Sequence, residues 1–245
     1  PVLGWRAPYG SSLALALAAA LALAVATEPA PRGVRRHPGM GGVLRDRRLW
    51  PLATLYSASY GLSVVLSNWT DEFLSRRGTL GGDGAELVAG SMLLAGVLTR
   101  PLGGWIMHHR PDATRRAVAG SLLAGAVGTV ALLAGGPAWL PVLGGALVGV
   151  AAGIPFSPSF TGAGRVRADA PAAAVGLVNA AANLAILVGT PVVGLTFSLG
   201  GDGRIGLAAI ALLWGAALAA LPSADALGLA RRSRATRSGA APPTA

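Results

Sequence analysis

Seven stretches of the chain run almost free of charge, and the charged residues gather between them. The stretches cover about 11–27, 49–69, 86–107, 117–135, 138–160, 172–198 and 205–221. A helix needs about 20 apolar residues to cross a hydrocarbon core roughly 30 Å thick. It is also the one open-ended element that satisfies all its backbone polar groups internally. The pattern therefore predicts an all-α membrane protein, a polytopic bundle of about seven transmembrane helices. The first and last stretches are the shortest. Trp50 and Trp69 bracket the second, 19 residues apart. At helical rise that is about 28 Å, the separation of the two interfacial belts in which tryptophan collects.

Composition agrees with the pattern. Of 245 residues, 53% are hydrophobic and 12% charged, where a soluble domain carries about 25% charged residues. A soluble fold would have to bury several charge-free stretches at once. All 20 basic residues are arginine and the formal charge is +10. Such a balance can mark a nucleic-acid binder, but these arginines sit in the connections between apolar stretches, so the lipid bilayer and not nucleic acid is the expected partner. The chain has no cysteine, which removes disulfides, thiolate catalysis and Cys-based metal sites.

Arginine placement predicts the orientation. Arg32, Arg35, Arg36, Arg45, Arg47 and Arg48 follow the first stretch; Arg110, Arg115 and Arg116 follow the third; Arg165 and Arg167 follow the fifth; Arg231, Arg232, Arg234 and Arg237 close the chain. The alternate connections are poor in arginine or offset by acids. Arginine-rich connections lie in the cytoplasm, so the N-terminus is expected outside and the C-terminus inside a cell membrane. The division that follows is a transmembrane helix at 1–28, a cytoplasmic loop at 29–48, a six-helix transmembrane domain at 49–222 and a disordered cytoplasmic tail at 223–245. Arg6, the run from Leu13 to Ala24 and Ala24-Val25-Ala26 also resemble a secretory signal with its cleavage site; three arginines soon after it argue against export. The chain begins with Pro1, which suggests a processed chain or part of a longer one.

Candidate chemistry is sparse. His37, His108, His109 and the carboxylates lie in connections or at stretch ends. No metal-ligating or acid–base cluster falls at mid-membrane, so neither an enzyme nor a cofactor is expected. Arg100, followed by Pro101, is the one charge well inside a stretch, about seven residues or roughly 10 Å from its cytoplasmic end. Its helix runs inward, and side chains lean toward a helix's N-terminus, so this guanidinium leans deeper into the bilayer. An intramembrane arginine marks a functional site or a pairing within the protein. It either contacts a planar anion through its forked donors or ties neighbouring carbonyls. Asn179 and Asn183 share one face of the sixth stretch and meet either a pore or another helix. Ser67 and Asn68 stand near the outer interface, for an outer vestibule or for packing. Gly145, Gly149 and Gly153 repeat every four residues, the small-residue spacing that lets helix backbones approach. Pro155, Pro158 and Pro191, with Gly153 and Gly189 nearby, mark places where helices bend.

The run Arg100-Pro101-Leu102-Gly103-Gly104-Trp105, followed by Arg110 and Arg115-Arg116, resembles the cytoplasmic loop signature of the major facilitator superfamily in its second copy, between helices eight and nine. Gly4-Trp5-Arg6-Ala7-Pro8 looks like the entry to that family's sixth helix. Thr27 to Arg48 looks like its central loop, and Gly176 to Gly194 like its eleventh helix. The family's usual acidic and basic pair after the glycines reads His108 and His109 here, which departs from its gating charges. The resemblance implies a secondary transporter working by alternating access, with the substrate held near the midplane between two halves. The chain would be the C-terminal half plus the last helix of a missing N-terminal half. Substrate contacts would fall to Arg100, Asn183 and Asn179, and gating to Gly103, Gly104, Arg110, Arg115, Arg116, Pro155 and Pro191. The place of Arg100 is similar to that of the anion-binding arginine in nitrate/nitrite porters, with cyanate-type permeases an equal candidate for a small anion. A permease subunit of an ATP-driven pump and a membrane-embedded enzyme are the rival classes.

Overall fold

The computed structural model describes residues 7–26, 40–224 and 227. Most of the expected connection at 29–48, the entry motif at 4–6 and nearly all of the tail lie outside the described residues. The chain divides into two units, Pro1–His37 and Pro38–Ala245. The first contributes α1 (Ala7–Ala26), a helix of alanine and leucine with no charge.

The second unit is an up-and-down helical bundle. It opens with the short α2 (Met40–Leu44). One long rod follows, made of α3 (Trp50–Tyr56), a π-helical turn (Ser57–Gly61) and α4 (Leu62–Arg76). Next come α5 (Gly82–His109), α6 (Pro111–Ala134), α7 (Trp139–Gly153) with α8 (Phe156–Val166), α9 (Pro171–Leu195) with a 3-10 turn (Thr196–Ser198), and α10 (Arg204–Ala219). A helix thus stands at each predicted stretch. Among the described residues, four helical runs are long and apolar enough to cross a membrane: Gly82–His109, Pro111–Ala134, Trp139–Val166 and Pro171–Ser198. The rod at 50–76 differs from its predicted extent. It runs seven residues past Trp69 into Asp71, Glu72 and Arg76, and that last turn carries an exposed ion pair, Arg76 Nε to Glu72 Oε1 at 2.6 Å.

Local chemistry sets the helix ends. The rod stops in a Schellman motif, with Gly78 at positive φ (62°) donating to Ser75 and Thr79 donating to Leu74, the arrangement that glycine permits after a helix. Pro111 and Pro171 open α6 and α9 from the first helical turn, where a missing N–H costs nothing. Pro155 and Pro158 break the rod at 139–166 near its middle, as expected: Pro158 has no N–H for the Ile154 carbonyl.

Packing is close and rests on small residues. α7 lies against α5 and α6, and α6 also holds α10; α9 packs on α3, α4 and α8. The Gly145–Gly149–Gly153 stripe faces α5. A Cβ at Gly145 would lie 3.0 Å from Val88, one at Gly149 would strike Ala95, and one at Gly153 would strike Thr99. Thr99 Oγ1 bonds the Ala95 carbonyl at 2.8 Å and reaches across to Gly149 at 3.2 Å. Ser67 Oγ does the same from α4 to Ala89 at 2.8 Å. Without water to drive association, such contacts and interhelical hydrogen bonds hold membrane helices together. The outward surface remains apolar, with Leu87, Leu187, Leu195 and Leu212 all about 70% exposed or more.

Candidate functional site

Three rods meet at one level. Tyr60 lies ten residues into the rod that begins at Trp50, Arg100 nine residues before His109, and Phe156 ten before Val166. Each is therefore about 14–15 Å from the arginine-rich end of its helix, half the thickness of a core of roughly 30 Å. Helix α5 extends two residues beyond the predicted stretch, through His108 and His109. That these ends are neighbours is clear from Arg167, in the α8–α9 turn, whose Nη1 donates to the Gly42 carbonyl at 2.9 Å.

Arg100 is caught between rings. Its Cζ stands 4.7 Å from the centroid of Phe156 and 5.3 Å from that of Tyr60. Two stacked pairs, each at i,i+4, form the block beneath it: Tyr56 with Tyr60 at 5.3 Å and Phe156 with Phe160 at 4.6 Å. Tyr56 joins them edge-on, 4.8 Å from Phe160 and 5.9 Å from Phe156. The π-helical turn carries Tyr60. Its widened backbone is satisfied by buried serines, Ser59 Oγ donating to the Tyr56 carbonyl at 3.3 Å and Ser63 Oγ to the Ser59 carbonyl at 2.7 Å. Such turns are frequent at functional sites.

The guanidinium keeps an unused donor. Its Nε is buried and has no hydrogen-bond partner, and among the described residues no carboxylate pairs with it. The ring faces attract the cation but do not satisfy its N–H donors. Among the described residues no hydrogen bond joins its side chain to a neighbouring carbonyl. Serine binds the backbone instead, Ser157 Oγ donating to the Arg100 carbonyl at 3.5 Å.

The other expected site residues are distributed as follows. Asn179 and Asn183 are both exposed on one face of α9, at about 12 and 18 Å from Pro171 by helical rise, hence level with Arg100; no hydrogen bond joins them to it. Gly103 and Gly104 lie against the start of α8. A Cβ at 103 would overlap the Ile154 carbonyl oxygen, and one at 104 would come within 3.1 Å of Ser157 Oγ. Arg110 caps α5 in the α5–α6 turn and is exposed; Arg115 Nε donates to the Pro222 carbonyl at 3.3 Å; Arg116 is exposed. Pro155 opens α8 and Pro191 lies inside α9. Beside Pro191, the Thr190 carbonyl accepts from Trp69 Nε1 at 2.8 Å and the Thr190 hydroxyl accepts from Asn68 Nδ2 at 3.3 Å. Asn68 and Ser67 therefore serve helix packing, and no vestibule is needed to explain them.

Sequence reasoning missed the four aromatic side chains. Their i,i+4 spacings, 56 with 60 and 156 with 160, are visible in the chain and were the available signal.

The model of the Major Facilitator Superfamily matches residues 1–190. The chain belongs to that superfamily. No curated protein matches it. As a Major Facilitator protein it is a multi-pass membrane protein and a secondary transporter of a small solute. The superfamily consists of transporters, which sets the ATP-driven permease subunit and the membrane enzyme aside.

Proposed function

We propose that the solute is a small anion and that Arg100 holds its negative group. The observation that carries this is the guanidinium itself, nine residues inside α5 with Nε buried and unpaired. A buried charge without a partner is costly, and an anion entering between the halves of the transporter supplies the missing acceptors as a planar fork. Asn183 and Asn179, level with Arg100, add neutral hydrogen bonds. Nitrate, nitrite and cyanate are the inorganic members of this class.

The bundle of the second unit serves as the C-terminal half, and α1 as the last helix of an N-terminal half. That partner half covers the face of α9 bearing the two asparagines, since amides at this depth belong against protein or a cavity and not lipid. Alternating access then follows from rocking of the halves about the site. Gly103, Gly104, Pro155 and Pro191 are the bending points, and Arg110, Arg115 and Arg116 are the charges at the cytoplasmic gate of a cell-membrane protein whose C-terminus is inside.

Uptake and export by the full-length transporter, with Arg100→Ala and Arg100→Lys, test the proposal. Loss of anion transport by tenfold or more in the alanine variant is expected, with the lysine variant intermediate because an ammonium lacks the fork. Undiminished anion transport by Arg100→Ala removes Arg100 from the site.

A further inference from the structure

The bend at Pro191 is held from outside its own helix. We propose that Trp69 of α4 is a latch on that bend, so that α9 flexes at Pro191 only when the indole lets go of the Thr190 carbonyl; this rests on Pro191 being a bending point.

Proline at 191 offers no N–H to the Leu187 carbonyl, and its ring crowds that carbonyl. In a membrane helix, neighbouring helices make good such a break. Here the neighbour is α4, which has no proline of its own and lies along α9 on both sides of Pro191. Before the proline, Val65 fits against Gly189, where a Cβ would come within 3.0 Å. After it, the Trp69 indole fills the notch at Gly194, where a Cβ would strike the ring. Between the two, Trp69 Nε1 donates to the Thr190 carbonyl at 2.8 Å. That carbonyl belongs to the peptide joining Thr190 to Pro191, so the bond lands on the break itself.

The segment beyond the proline is fastened to α4 a second time. Trp69 stacks on Phe197 with ring centroids 5.0 Å apart. Arg76 Cζ stands 5.4 Å from the centroid of the same ring, and its Nη1 donates to the Phe197 carbonyl at 3.4 Å. Gly203, at positive φ (82°), closes on that ring, and a Cβ there would lie 2.5 Å from Phe197 Cζ. Residues 191–198 thus hold to α4 by a peptide, a ring and a carbonyl, at the place where their own helix ladder is interrupted. None of these contacts reaches Asn179 or Asn183. The end segment therefore travels with α4, and the part of α9 bearing the asparagines turns against it about Pro191 once the Thr190 carbonyl is free. Trp69 acts as a positioning residue for that movement and touches no solute.

Amide hydrogen exchange on the full-length transporter in nanodiscs tests this, read at Val192–Leu195 for the end segment and at Leu177–Asn183 for the inner part. In the unmodified protein the two sets are expected to exchange at similar rates. Trp69→Phe keeps a ring on Phe197 and loses the donor. Val192–Leu195 should then exchange about tenfold faster, the effect of one lost hydrogen bond on local opening, with Leu177–Asn183 unchanged. Adding Pro191→Ala restores the ladder and should return the rate to that of the unmodified protein. Unchanged exchange in Trp69→Phe overturns the latch and leaves the reading of Pro191 as a bending point standing. Faster exchange that persists in the double variant overturns both, because the loosening then does not pass through the proline. The unmodified protein decides alone where a variant misfolds: an end segment exchanging about a hundredfold faster than the inner part is open already, and the latch is overturned.

Discussion

Arg167 grips Asp169 with two parallel hydrogen bonds, Nε to Oδ1 at 2.8 Å and Nη2 to Oδ2 at 2.7 Å. Its remaining nitrogen, Nη1, reaches back to the Gly42 carbonyl and lies 4.0 Å from Asp46. Asp46 in turn holds Arg48 at 2.9 Å. Four charges of alternating sign thus fasten the segment before α3 to the turn between α8 and α9, and Arg167 keeps only 13% of its side chain exposed.

A lysine at 167 keeps the charge and loses the fork. Arg167→Lys should lower the melting temperature in thermal unfolding of the detergent-solubilised protein, because an ammonium cannot make the paired hydrogen bonds. A melting curve identical to the wild type would show that the clamp contributes nothing.

The same clamp predicts an acid limb. The Asp169 carboxyl is held below its usual range chiefly by the hydrogen bond from Arg167, and that of Asp46 chiefly by the hydrogen bond from Arg48. A carboxylate depressed in the folded state stabilises it fully above its unfolded pKa of about 4, and the benefit fades as pH falls through the lower folded value. Melting should be level between pH 7 and pH 5 and decline below pH 4, with a shallower decline in Asp46→Asn with Asp169→Asn. Equal acid limbs in the two proteins would contradict this.

Glycine contacts predict a contrast. Gly103→Ala and Gly153→Ala place a methyl group on the Ile154 carbonyl and on Thr99, and should cost about 1–3 kcal/mol as overpacking. Gly90 and Gly120 have open space around them. Alanine there should be neutral or stabilise by up to about 1 kcal/mol. Unfolding in a graded detergent series measures both sets, and equal effects would show that the glycines are interchangeable.

Topology can be read directly, because the chain has no cysteine to remove. Arg116→Cys should react with an impermeant maleimide only from the cytoplasmic side, and Gly200→Cys only from outside. Labelling of both from one side would overturn the orientation.

The helices were legible in the sequence because lipid imposes a simple rule, a charge-free run of fixed length. Where the rule stops, the helices do not: Asp71, Glu72 and Arg76 continue the rod in polar surroundings, since backbone hydrogen bonding is indifferent to what lies outside it. Arg100 stood out for the opposite reason, as a charge where none should be. Its neighbours did not. Which face of 50–76 meets which face of 139–166 depends on packing between residues a hundred positions apart, and periodicity carries no record of it. The same holds for Asp46 and Arg167, whose separate connections read only as charged loops.

The turn at Ser57–Gly61 holds one residue more than an α-helical turn would. Removing a single residue there would swing Trp50–Tyr56 by about 100° against Leu62–Arg76, the rotation of one residue in a helix with 3.6 per turn. Tyr56 would leave Phe160, and Trp50 would leave the surface it now presents. The ring assembly below Arg100 therefore depends on chain length at one point as much as on which residues are aromatic, so a sequence that keeps every ring and loses one neighbour there keeps the composition of the site without its shape.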